Sequence, residues 1–168
     1  MYQTVRAYAW EQCDLEAAVR DRHLAYFAEW GSPASLDLLV TEGTRYRRER
    51  MSERADLRAA VSWGLETGAA DLAASCGLLQ AELSCAAGPL EDGWTVVDQI
   101  LKHQPDSGLR GRLLMVQTRL ADNAGRMDDA RELGRQAVAA LEGCAGLQAR
   151  AEAIWAHLMG GEEGLRTV

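Results

Sequence analysis

The sequence predicts an all-α protein of about seven or eight helices, arranged as antiparallel hairpins stacked into a short α-solenoid. Three observations carry this expectation. The vocabulary is helix-forming: Ala, Leu, Glu and Arg recur and there are only 3 prolines in 168 residues, with no alternating apolar–polar run of strand length. Apolar residues return at helical spacing in block after block. The breaks between blocks recur with a period in the mid-thirties, which is the mark of a repeat array with two helices per unit.

The elements follow in order. A weak helix is expected over Tyr2 to Glu11. Leu15, Val19, Phe27 and Trp30 suit a helix ending near Gly31. Leu57, Ala60, Val61, Gly64 and Leu65 then follow the i, i+3, i+4, i+7, i+8 rule. Further stripes are Leu72–Cys76–Leu79–Leu83, Leu90–Trp94–Val97–Leu101 and Leu109–Leu113–Val116–Leu120. Met127, Ala130, Gly134, Ala137 and Leu141 form a stripe of unusually small residues. Leu147, Ala151, Ile154 and Leu158 complete the set.

The breaks carry stop and start signals. Gly88-Pro89 puts glycine past one helix end and proline at the next start. Gly125 suits a left-handed helix terminus, and Ser32-Pro33 and Pro105-Asp106-Ser107-Gly108 suit turns. From Gly88 to Gly125 is 37 residues, and from Gly125 to Gly160, in the expected turn Gly160-Gly161, is 35. That period matches tetratricopeptide-type units. It also explains the thin helix: in such a hairpin a small residue sits where the second helix crosses the first, and Ala130 and Ala137 meet that need. One helical-repeat domain is expected over 1–168, with lead-in helices over 1–50 and repeats over 51–168. The last repeat is expected to be incomplete, with GGEEGLRTV starting a second helix that does not finish.

Residues 54–101 resemble the helical region of bacterial ATPase-linked transcription regulators of the MalT, AfsR and large LuxR kind. Asp56-Leu57-Arg58-Ala59-Ala60-Val61-Ser62-Trp63-Gly64 fits that region's N-L-R-A-A-L-x-W-A pattern. Gly88, Asp92, Gly93, Trp94 and Val97 fit its second motif, and Arg22-His23 with Tyr26-Phe27 is similar to its run-in. The resemblance implies a tetratricopeptide-like fold and a regulatory setting. The family's ATPase and DNA-binding parts have no counterpart here, so that role would need other domains or a partner protein.

Chemistry is thin. The formal charge of −7 disfavours general nucleic-acid binding. No apolar run approaches the ~18 residues of a membrane span, and no secretion signal follows Met1, so a cytoplasmic location is expected. Cys13, Cys76, Cys85 and Cys144 form no C-x-x-C pair and are expected to be free thiols. His23, His103 and His157 lie on different helices, so neither metal nor cofactor is expected. There is no phosphate loop, G-x-S-x-G elbow or H-E-x-x-H motif. The acidic pairs Glu91-Asp92, Asp128-Asp129 and Glu162-Glu163 sit near helix starts, where they complement the dipole. The one dense basic stretch runs Arg45, Arg47, Arg48, Arg50, Arg54, Arg58, and is expected to be a solvated face paired with Glu49 and Glu53.

The expected function is therefore a non-catalytic helical-repeat module for protein–protein interaction, binding a protein or peptide partner on the face lined by the first helix of each hairpin. Glu82, Arg112, Met115, Arg119 and Arg150 are the candidates for that face. The alternative is a small-molecule sensing or sequestering domain with a pocket near Trp63 or Trp94. Ile154, Trp155 and Leu158 are expected on an uncapped C-terminal edge, where a homodimer is the simplest closed solution.

Overall fold

A computed structural model describes residues 16–32, 34–36 and 43–165. Cys13 and the helix expected over Tyr2 to Glu11 lie outside them. Among the described residues there is no strand. The helices are α1 (Glu16–Trp30), α2 (Gly43–Met51), α3 (Arg54–Glu66), α4 (Ala70–Ala87), α5 (Leu90–Leu101), α6 (Ser107–Asn123), α7 (Met127–Ala140) and α8 (Ala145–Leu165).

The punctuation follows local chemistry. Gly88 ends α4 at φ 66° and ψ 179°, backbone space open essentially to glycine alone. Asp106 caps α6 through its carboxylate, which accepts from the N–H groups of Gly108 at 2.7 Å and Leu109 at 3.0 Å. Gly125 and Gly143, with φ of 72° and 86°, close the turns on either side of α7. The expected turn at Gly160-Gly161 does not exist: α8 runs unbroken through both. Two glycines cost a helix about 2 kcal/mol against alanine, but without a following proline or capping residue they do not end it. Residues 160–165 of the fragment expected to start a further helix are the tail of α8.

Consecutive helices from α3 to α8 pack on one another. α4 also packs on α1 and α6, while α8 leans on α7 and meets α6 only lightly. The burial pattern repeats at an interval of 37. Cys76, Leu79, Leu83 and Ile100 are buried, and so are Leu113, Val116, Leu120 and Ala137 at the shifted positions. Even the buried glutamines match, Gln80 with Gln117. Gly93 of α5 lies so close to Ser84 of α4 that a Cβ there would come within 2.7 Å of the Ser84 Cβ; the shifted residues, Ala130 and Ala121, are both fully buried. One continuous core runs from α1 to α6, and two smaller clusters join α6, α7 and α8.

The basic stretch is a solvated face only in part: Arg47, Arg48 and Arg58 are exposed, whereas Arg50 and Arg54 are partly buried. Arg54 reaches across space, donating to the Gly88 carbonyl at 2.6 Å and the Ser84 hydroxyl at 2.8 Å. Arg58 donates to Asp92 at 2.9 Å. The start of α3 is thereby tied to the α4–α5 turn. Arg50 lies over the Trp30 ring, 3.6 Å from its centroid.

Candidate functional site

The light contact between α6 and α8 leaves a groove whose walls come from α4, α6 and α8. Its narrow part holds about 140 Å³. Glu82, Arg112, Met115, Arg119 and Arg150 all line it, although they come from three helices and span most of the chain's second half. Leu78, Val116 and Ile154 add apolar lining, with Leu36 and Arg47 contributed from the N-terminal side. Beyond this part a wider recess of about 380 Å³ continues between α6 and α8, sharing Arg119, Arg150 and Ile154.

Part of this lining follows the interval. Leu78 and Met115 are 37 apart, as are Glu82 and Arg119, and all four line the groove. Matching faces of α4 and α6 thus lie side by side, and Leu147, Arg150 and Ile154 join them from α8. Leu78 was missed in the sequence because it reads as core; stepping back 37 from Met115 would have found it. Leu36 and Arg47 belong to no repeat and carry no such signal.

The electrostatics of the groove centre on one pair. Arg119 Nη1 donates to both carboxylate oxygens of Glu82, each at 2.8 Å. Burial works against the guanidinium's charge, but the Glu82 charge and hydrogen bonds outweigh it and hold the Arg119 pKa above its ordinary value. Cys85 lies beside the pair. Desolvation pushes its thiol up to about 11, Arg119 drawing it down and Glu82 raising it. Cys76, wholly inside, is pushed up to about 12, chiefly by burial. Neither is a thiolate at neutral pH. Cys76, Cys85 and Cys144 are free. Among the described residues, no group of three His, Cys, Asp or Glu side chains is placed to hold a metal ion, and no helix is long and apolar enough to cross a membrane.

The tryptophans lie elsewhere. Trp63 lines a separate depression of about 470 Å³ between α1 and α3, along with Arg20, His23 and Asp56. Its indole N–H donates to Asp21 at 2.8 Å, and Arg20 covers its face at 4.9 Å. Trp94 lies in a recess of about 280 Å³ with Gln117 and Asp129, and Arg126 stacks over its ring at 3.9 Å.

The C-terminal edge needs correction. Leu158 is not an outward residue: only 3 % of its surface is exposed, and it packs in one cluster with Ala121 and Ala130. Trp155 is half-buried against Gly134, where a Cβ would meet its ring at 3.0 Å. Ile154 lines the groove. The small residues of α7 admit these side chains from α8, so two of the three residues expected at a dimer edge are used within the chain. No family model, curated protein or solved structure matches this chain.

Proposed function

We propose that the chain is a non-catalytic helical-repeat interaction module, a short tetratricopeptide-like α-solenoid that takes a segment of a partner protein in the groove across α4, α6 and α8. The observation that carries this reading is the convergence of the repeat's equivalent positions on one open surface, with apolar residues between arginines. The groove's chemistry argues against catalysis. The carboxylate of its narrow part, Glu82, is engaged by Arg119 through both oxygens, and the neighbouring thiol holds its proton to about pH 11. Neither is poised as a base or nucleophile. The resemblance of residues 54–101 to the helical region of ATPase-linked regulators supports a place beside, or within, a bacterial signalling or transcriptional regulator in the cytoplasm.

A small-molecule site is the second reading, and the Trp63 depression is the observation that favours it, since about 470 Å³ falls in the usual range for such sites. The indole already has Asp21 on its polar edge and Arg20 on its face, which leaves less of the ring to recognise a ligand. The groove's narrow part, at about 140 Å³, is smaller than the roughly 300 Å³ of the smallest drug-sized pockets.

The test is to pan a library of short random peptides on the chain and re-measure the binders against Ala86→Trp and Leu72→Glu. Ala86 is exposed and lines the groove; Leu72 is exposed and does not. Binders lost with Ala86→Trp and kept with Leu72→Glu are expected. Binders indifferent to Ala86→Trp would overturn the reading.

A further inference from the structure

The proposed groove differs in charge from the molecule that carries it. The chain as a whole has a formal charge of −7, yet among the described residues the narrow part of the groove sets Arg112, Arg119 and Arg150 against one carboxylate, Glu82. Glu82 is spent on Arg119, to which both its oxygens are bound. Arg112 and Arg150 have no carboxylate partner among the described residues. Where the groove widens, Asp122 is the one further acid among the described residues. The surface is therefore a positive trough in a protein of net negative charge, and it attracts carboxylates.

Between the arginines the lining is apolar. Leu78, Met115, Val116 and Ile154 come from three helices, and the narrow part holds about 140 Å³. That is room for one large aliphatic or aromatic side chain and little more.

Resting on the interaction reading above, we infer that the groove takes an acidic, extended segment of a partner protein in which one large apolar residue is flanked by Asp or Glu. The apolar side chain fills the space over Met115 and Val116, and flanking carboxylates meet Arg112 and Arg150. Arginine suits the second task because its planar fork bonds a carboxylate through two donors. A basic segment would meet unpaired arginines and be rejected. Arg119 serves differently: bound to both oxygens of Glu82, it is already matched to a carboxylate.

The experiment uses the whole chain and the peptides selected by panning, restricted to those that lose binding with Ala86→Trp. Their composition is compared with the starting library, and each is titrated against Arg112→Glu/Arg150→Glu by fluorescence anisotropy. Expected are binders enriched in Asp and Glu around a Leu, Ile, Met or Phe, bound about tenfold more weakly by the double variant, with wild-type affinity falling as salt rises. Should the double variant misfold, Arg112→Gln/Arg150→Gln and the wild-type salt dependence give the same answer. Groove-dependent binders that are neutral or basic, or acidic ones indifferent to the substitutions and to salt, would overturn the inference while leaving the interaction reading intact. An absence of any groove-dependent binder would sink both.

Discussion

In the pair α4–α5 the bulk where Gly77 meets Ile100 sits on the second helix; at the equivalent positions of the pair α6–α7 it sits on the first. Gly77 of α4 lies beneath Ile100 of α5, whose Cδ1 takes the space a Cβ would need. At the positions 37 further on are Leu114 of α6 and Ala137 of α7, in one buried cluster. One turn earlier the asymmetry reverses, with Gly111 of α6 beneath Leu141, just past the end of α7. At the Gly77–Ile100 layer and its equivalent the large side chain changes sides, which keeps that layer filled. The second pair differs in one further way. Val97 of α5 is wholly buried, whereas its equivalent, Gly134, leaves space that Trp155 of α8 enters.

The strongest test of this exchange is to force one arrangement onto the other. Gly77→Leu alone should cost about 3 kcal/mol or more, because Ile100 cannot leave a packed site. Adding Ile100→Ala should recover most of that loss, since the pair would then carry the bulk of the second. Urea unfolding of the single and double variants measures it, and additive losses would show that the two residues do not share one space. Next in size is Ala130→Leu, at the α7 crossing, which should cost about 1–3 kcal/mol by overpacking against Ala121 and Leu158. A neutral midpoint would mean the crossing has slack.

The third test uses Cys76, buried in α4, whose equivalent in α6 is Leu113 and does not titrate. Burial raises the folded-state pKa of Cys76 to about 12 from 9.0. Below pH 9 the thiol is protonated in both states and its contribution is intact. Above pH 9 the unfolded chain releases a proton that the folded chain keeps, so stability falls by about 1 kcal/mol per pH unit from this group. The decline should flatten in Cys76→Val, measured as midpoints between pH 8.5 and 10.5. An unchanged slope would place its source elsewhere. The smallest effect concerns the tie between the pairs. Breaking the part-exposed Glu82–Arg119 pair with Glu82→Gln should cost about 1 kcal/mol or less, and a loss well above that would mean the pair organises the wall between α4 and α6.

Much of this was legible because its signals are local. Gly31, Gly88-Pro89 and Gly125 marked helix ends through backbone preference, and the small stripe of α7 announced a close approach. The five groove residues could be placed together because a repeated helix face needs only its period. What escaped the sequence depends on distant partners. Arg54 looked like one of six basic residues in solvent until the Gly88 carbonyl and Ser84 came within reach. Leu158 looked outward because the space for it is made by Ala121 and Ala130. Gly160-Gly161 was overread: glycine permits a turn, and nothing beside it required one.

The pairing of Gly77 with Ile100 also bears on how such a chain can be recombined. A helix moved alone brings half of a matched set. If α6 took the place of α4 against α5, Leu114 and Ile100 would claim the same volume. If α4 stood against α7, Gly77 and Ala137 would leave a void that nothing fills. Only exchanges that carry both members together keep the interior intact, so the smallest unit that can be duplicated, swapped or inherited within this architecture is two helices long.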